Sequence, residues 1–268
     1  MEADYCMEKL QSIRAILFDL DNTLIETRGA DKKAVEKIRQ YLYDHGVPEE
    51  CARELVGEYL KCFRANPQDP IPGRTDLDSW RKLLWAYALG PDWDYLLDKV
   101  YPLWKKTRFE NLLFSDQVRS MLKSLRKRYK LALITNGPSE AQWEKMQKLN
   151  ARDYFDIILV SGDYPFEKPD PAIYQVVFET LGVSADECIM VGDTLGTDIQ
   201  GGVNAGVAAN IWVPLQDCEH PKPQPDYKLD NVCNLPKLLA GNLANNFSSS
   251  VKKPEYKRRD SVRCIASS

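Results

Sequence analysis

The chain has 268 residues, 44% of them hydrophobic, and a formal net charge of -3. That is enough for one large domain, or one domain with a smaller insert, and for a sizeable core. The mildly acidic balance argues against a general nucleic-acid binder, which needs a basic face, and no stretch approaches the ~18 consecutive apolar residues of a membrane span.

The opening MEADYCMEKLQ is acidic and polar, unlike a secretory signal or a transit peptide. Residues 13–18, IRAILF, then form an apolar run that we expect to be a buried strand. From about 31 to 107 the pattern turns helical. VEKIRQYLYDHG, ECARELVGEYLKCF, DSWRKLLWAYALG and WDYLLDKVYPLWKK all space apolar residues by three and four, with the turn-rich ANPQDPIPGRTD between the second and third. Trp80, Trp85, Trp93 and Trp104 fall in this block and are expected to form its own small core. His45, one of only two histidines with His220, reads as a helix end.

Beyond 107, strands and helices alternate. SDQVRSMLKSLRKR is an amphipathic helix, KLALIT a strand, PSEAQWEKMQKLN a helix, DIILVS a strand and DPAIYQVVFETLG a helix closed by Gly182. ECIMVGD is a strand, GTDIQGGVNAG a helix closed by Gly206, and AANIWV a strand. Buried strands alternating with helices predict an α/β fold, a Rossmann-like parallel sheet covered on both faces. The expected organisation is a core of residues 1–26 and 109–244 with a helical insert at 27–108. Residues 245–268, serine-rich and basic, read as a solvated disordered tail, in which Arg258-Arg259-Asp260-Ser261 resembles a kinase target. The seven cysteines are odd in number and widely spaced, without a CxxC pair. Free thiols in a reducing, cytoplasmic setting are expected rather than disulfides or a zinc site.

Ligands of open α/β sheets bind outside the carboxyl ends of the strands. There this sequence places Asp19 and Asp21, then Thr135-Asn136-Gly137, then Glu167-Lys168-Pro169, then Gly192-Asp193 with Asp198 five residues on. Asp-Asn after a strand is also ordinary turn chemistry, and Lys168 alone would read as a surface lysine. Together, Asp19, Asp21 and Asp193 form a set of carboxylates able to face one hard cation. Mg²⁺ suits such oxygen ligands. Lys168, Thr135 and Asn136 add a charge and hydrogen-bond donors for phosphate oxygens.

The pieces DLDNTL, LITNG, EKPDP and VGDTLGTD, in this order over roughly residues 13–215, resemble the four motifs of the haloacid dehalogenase superfamily. The resemblance implies a Rossmann-like core, and the helical insert resembles the family's type 1 cap. It also implies a Mg²⁺-dependent phosphomonoesterase. Asp19 would be the nucleophile, giving an aspartyl-phosphate, and Asp21 the general acid and then base. Thr135, Asn136, Lys168, Asp21 and the Leu20 backbone would hold the phosphate. Asp19, Asp193 and the backbone carbonyl of Asp21 would hold the metal, with Asp198 supporting Lys168 or the metal's waters. The family's dehalogenases lack the second acid, so Asp21 favours phosphate esters.

A closer likeness within the family, carried by LFDLDNTLIET, LWKKTR and MVGDTLGTDIQGGVNAG, implies a small phosphorylated sugar acid as substrate, with no nucleic-acid or membrane partner and no indication of oligomeric state. A carboxylate-bearing substrate asks the cap for a cation; Arg74, Arg81 and Arg108 are candidates, though for each a structural or solvated role is the more ordinary reading. Two alternatives stay open: a phosphatase for another small metabolite such as phosphoglycolate or a sugar phosphate, and a non-catalytic binding module of the same fold.

Overall fold

The computed structural model describes residues 12–71 and 73–241; the basic tail, Ser261, Cys6 and Cys264 lie outside these residues. Six strands form one parallel sheet: β1 Ala15–Phe18, β2 Lys130–Thr135, β3 Ile157–Val160, β4 Cys188–Gly192, β5 Ala209–Trp212 and β6 Tyr227–Lys228, in the order β3-β2-β1-β4-β5-β6. The chain builds outward from β1 through β2 to β3, then crosses back to lay β4 on the other side of β1. The order therefore reverses at β1 and β4, where the strand ends leave a crevice.

Side-chain alternation divides the core. Ile16, Phe18, Leu131, Leu133, Ile189 and Val191 face one cluster, and Ala15, Leu17, Ala132, Ile134 and Met190 face the other. Both faces are buried, as the continuous apolar runs require.

Helices α1 Thr27–Asp44, α2 Glu49–Ala65, α3 Leu77–Trp93 and α4 Leu97–Asn111 form the cap between β1 and the remaining core. Gly90 leaves helical geometry within α3 (φ 64°), just before Pro91, so the regular helix stops where the sequence places its end. The cap has its own core, with Trp85 and Trp104 buried and Trp80 and Trp93 packed at its side. His45 caps α1, its Nδ1 2.7 Å from the Tyr41 carbonyl. Helix α1 begins eight residues before the apolar pattern that announced it at Val35. Its first turns bury only the small side chains of Thr27, Ala30 and Ala34, too weak a signal for periodicity.

The core helices are α5 Asp116–Leu125, α6 Ser139–Leu149, α7 Pro171–Leu181, α8 Gln200–Ala205 and α9 Leu235–Leu239. Gly182 and Gly206 close α7 and α8 in the left-handed conformation. The expected helix over 196–206 opens instead as a wide turn, Leu195–Ile199. No helix among the described residues is long and apolar enough to cross a membrane.

Candidate active site

Asp19 extends β1 by one residue, its amide donating to the Val191 carbonyl of β4 at 2.9 Å. The chain then turns sharply. The Leu20 carbonyl accepts from the amides of Thr23, Leu24 and Ile25, and Asn22 adopts a φ of 64°, a region asparagine tolerates better than most residues. This turn lets Asp19 and Asp21 leave the same strand end toward different partners.

Asp19 is buried. Its Oδ1 accepts from Lys168 Nζ at 2.7 Å and its Oδ2 from Thr23 Oγ1 at 2.9 Å. Lys168 Nζ also donates to Asp198 Oδ1 at 2.7 Å and to the Ile134 carbonyl at 2.8 Å. Buried charges survive only when paired and hydrogen-bonded, and this lysine uses all three of its donors. Burial pushes the Asp19 carboxyl up to about 7; Lys168 works against that rise and Asp198 adds to it. Burial also disfavours the Lys168 charge, yet Asp19 and Asp198 beside it raise its pKa above the usual lysine value.

The wide turn delivers Asp198. The amides of Asp198 and Ile199 both donate to the Thr194 carbonyl, and the Thr194 amide donates to Asp198 Oδ2 at 3.0 Å. The carboxylate lies so close over the end of β4 that a Cβ on Gly192 would stand 2.4 Å from it. The glycine of the sequence Gly192-Asp193 is thus a requirement of close approach. Asp193 follows, with its carbonyl accepting from the Trp212 indole at 2.8 Å.

Carboxylate oxygens of Asp19, Asp193 and Asp198 all lie within 4.8 Å of one another. Burial pushes Asp193 up to about 6, and Asp198 adds to the rise. Three crowded carboxylates against one lysine leave a deficit of positive charge, and an all-oxygen donor set of this kind fits Mg²⁺. The Asp21 side chain is not in this cluster; the part the family likeness gives it in metal binding belongs to its backbone carbonyl.

At the end of β2, Thr135 is buried with its hydroxyl accepting from Gln142 Nε2 at 2.9 Å. Asn136 clamps the backbone of Lys168: its Nδ2 donates to the Lys168 carbonyl at 2.8 Å and its Oδ1 accepts from the Lys168 amide at 3.0 Å. The second Nδ2 hydrogen of Asn136 takes no part in this clamp. Lys168 thus contacts Asp19 directly, while Asn136 holds the Lys168 backbone and Thr135 meets Gln142.

The sequence reading missed the partners of Asp21. Lys145 Nζ lies 2.7 Å from both Asp21 oxygens, Gln142 Nε2 donates to Oδ2 at 3.0 Å, and the Thr27 hydroxyl donates to Oδ1. Burial alone would raise Asp21; Lys145 first, then Gln142 and Thr27, reverse it and hold the carboxyl down at about 2. Burial lowers Lys145 from the usual lysine value. The one signal was positional: Gln142, Lys145, Met146 and Leu149 form the buried face of α6, so two polar residues occupy an inward stripe.

Of the cap arginines, Arg74 is half exposed and closes its own loop through Asp69 at 2.8 Å. Arg81 and Arg108 are buried. Arg81 Nη1 reaches Glu144 on α6 at 2.8 Å, and Arg108 Nε reaches Asp31 at 2.6 Å. Lys105 also grips Glu144, at 2.7 Å, so α6 ties the cap to the core.

A haloacid dehalogenase-like hydrolase family profile matches residues 13–206. The chain is 38% identical to the mouse (Mus musculus) N-acylneuraminate-9-phosphatase over 241 residues, 86% of this chain and 95% of that one. It is 31% identical to a glyceraldehyde 3-phosphate phosphatase of Pyrococcus abyssi over 75% of this chain and 81% of that one. The magnesium-bound crystal structure of the Bacillus subtilis HAD-hydrolase YfnB shares its fold, with a TM-score of 0.60 at 23% identity over 85% of this chain and 98% of that one. The chain belongs to the haloacid dehalogenase-like hydrolases, and it is a phosphoric monoester hydrolase among them.

Proposed function

We propose that the chain hydrolyses an N-acylneuraminate 9-phosphate, and that Asp19 forms the covalent intermediate. The observation that carries the reaction is the buried Asp19–Lys168–Asp198 array at the switch point of the sheet. The similarity to the mouse enzyme across 95% of its length supports the substrate, and with it a place in sialic acid biosynthesis.

In the first step an Asp19 oxygen attacks phosphorus, the bond to the sugar oxygen breaks, and Asp21 gives that oxygen its proton. In the second, Asp21 takes a proton from water as the water attacks phosphorus, the bond to Asp19 breaks, and phosphate leaves. Thr23 and Lys168 fix the two Asp19 oxygens. Thr135, Asn136 and the Leu20 backbone receive the phosphoryl oxygens, and Lys168 joins them by giving up one of its three present acceptors. Asp19, Asp193 and the Asp21 carbonyl would hold Mg²⁺, with Asp198 supporting from the rim. When bound, the ion neutralises the crowded anions and polarises the phosphate.

Held at about 2, Asp21 is in the ionised form that the second step needs. The first step needs Asp21 protonated, a state that the Lys145 contact disfavours. The unpaired cysteines Cys51, Cys62, Cys188, Cys218 and Cys233 support a cytoplasmic setting.

The test is Asp19→Asn, an isosteric change. Phosphate release should vanish while the thermal midpoint stays near that of the native protein; near-native turnover would refute the covalent route. The Pyrococcus relative favours one other reading, a three-carbon phosphate ester. Comparing kcat/KM for N-acylneuraminate 9-phosphate and glyceraldehyde 3-phosphate decides between them.

A further inference from the structure

A cavity of about 490 Å³ lies beside the hinge of the cap. Ile25 and Glu26, where the chain leaves the core for α1, line part of it, and so do Asn111 and Leu113, where it returns from α4. Leu215 after β5, and Asp230, Val232 and Cys233 after β6, supply more of the wall. The volume falls in the ~300–1,000 Å³ range of ligand sites, yet none of Asp19, Asp21, Asp193 and Asp198 lines it. It is therefore not the reaction site, but it backs that site: Thr23 lines the cavity and donates its hydroxyl to Asp19.

The wall suits an occupant with both apolar and cationic groups. Leu113 and Leu215 are 49% and 47% exposed, and covering them is favourable. The carboxylates of Glu26 and Asp230 have no ion-pair partner among the described residues. Lys33, the one cation in the wall, already donates to Asn111 at 3.0 Å.

The chain itself supplies such an occupant. Residues 242–268, outside the described residues, hold six lysines and arginines against two acids, interspersed with Phe247, Val251 and Tyr256. The whole chain carries -3, so residues 1–241 carry -7 and attract this tail. Attachment favours the hinge cavity over other acidic surfaces. Cys233 in its wall stands eight residues before Gly241, and that mostly helical stretch rises at most about 16 Å. Six extended residues from Gly241 to Phe247 cover about 20 Å, so Phe247 can return to the cavity with Val251, Lys252 and Lys253 behind it.

We propose that the tail segment from Phe247 to Lys253 docks in this hinge cavity and restrains the cap, with Phe247 and Val251 covering Leu113 and Leu215, and Lys252 and Lys253 meeting Glu26 and Asp230. Both chain crossings between cap and core line the cavity, so one occupant packs against each and opposes their parting. Asp19 and Lys168 are buried, so substrate enters only as the cap moves. The docked tail lowers turnover, and its release raises it. A short tether holds the segment at a local concentration of about millimolar, so weak contacts suffice.

Cys233, half-buried in the cavity wall, reports the occupant directly. The experiment measures how fast N-ethylmaleimide labels each cysteine of the full-length chain, read by mass spectrometry. The half-buried Cys51 of the cap is the control. Three full-length variants are compared with the native chain: Phe247→Ser, Lys252→Glu/Lys253→Glu, and the latter joined to Glu26→Lys/Asp230→Lys. The first two should label Cys233 about tenfold faster, as expected for a tail docked about 90% of the time. The third, with the charges exchanged, should recover the native rate, and Cys51 should label at one rate throughout. The protection should persist on dilution from about 50 to about 1 μM, as an intramolecular contact does. In the first two variants kcat/KM for a phosphate ester should rise, by no more than the labelling ratio.

Equal Cys233 rates in the native chain and the first two variants would overturn the docking. Protection that fades on dilution would give the cavity to the tail of a second copy and overturn the tethered contact. Protection lost without a gain in kcat/KM would overturn the restraint on the cap. The labelling does not depend on catalysis, so the docking stands or falls apart from the proposed reaction.

Discussion

Replacing Lys145 with methionine tests the least legible contact of the site. In the native chain, burial and Lys145 compete at Asp21, and Lys145 wins: the carboxyl falls from its ordinary 3.8 to about 2. A carboxyl lowered on folding stabilises the fold above its unfolded pKa and loses that contribution as pH falls through the folded value. The interval from 3.8 to about 2 corresponds to about 2.4 kcal/mol at ~1.36 kcal/mol per pKa unit. Asp21 is only a quarter exposed, so solvent screens little of this. In Lys145→Met the favourable interval disappears, and burial drives the carboxyl above 3.8, reversing the sign. The variant then carries a folding penalty above the new pKa that is relieved on acidification.

The assay is thermal unfolding without divalent metal at pH 7.5 and pH 4.5. At pH 7.5 the variant should lose at least about 2.4 kcal/mol, or roughly 5–10 °C for a chain of this size. At pH 4.5 the gap between the two proteins should narrow, because the variant's Asp21 takes a proton while the native one stays ionised. Asp19 and Asp193 titrate in both proteins and largely cancel in the difference. A gap of equal size at both pH values would refute the account of Asp21.

Three further outcomes follow from the same geometry. Gly192→Ala puts a Cβ 2.4 Å from the Asp198 carboxylate. Overpacking of this kind costs about 1–3 kcal/mol, and a displacement near 1 Å at Lys168 should lower kcat about 100-fold; native-like turnover would contradict the role given to Asp198. Metal-free Asp19 and Asp193 bind protons at about 7 and about 6, so Mg²⁺ must displace protons below pH 7. Calorimetric Mg²⁺ affinity should weaken about tenfold per pH unit just below 7 and more steeply below 6, and constant affinity from pH 8 to 5.5 would rule this out. Glu144→Gln removes the charged partner that Arg81 and Lys105 share across the cap–core junction. A stability loss of about 1–2 kcal/mol with KM rising more than kcat falls is expected, and no change in either would remove Glu144 as the tie.

The sequence disclosed the groups whose position follows from local rules. Asp19, Thr135 and Asp193 end or directly follow runs of buried residues in a parallel sheet, so the strand pattern alone locates them at one edge. Glycines disclosed helix ends where a left-handed residue was needed, at Gly182 and Gly206. The wide turn at Leu195–Ile199 was not legible, because its cause is nonlocal: Asp198 is drawn to Lys168, which is 30 residues distant in sequence. Strand β6 has only two residues, too few to alternate.

Lys145 was hidden for a different reason. A charged residue at an inward helical position reads the same whether the facing surface is solvent or an acid. The pattern of QWEKMQKL is settled only when Asp21, 124 residues away, is placed against it. Likewise, the aromatics of the cap were recognisable as a core, but their N–H and O–H groups were not recognisable as unpaired, since pairing depends on every neighbour at once. The motifs therefore carry the family resemblance, while the residues that set the charge on Asp21 are written in packing. A change at Asp19 should accordingly abolish cleavage of every phosphate ester, whereas a change at Lys145 should show first in stability and its pH dependence.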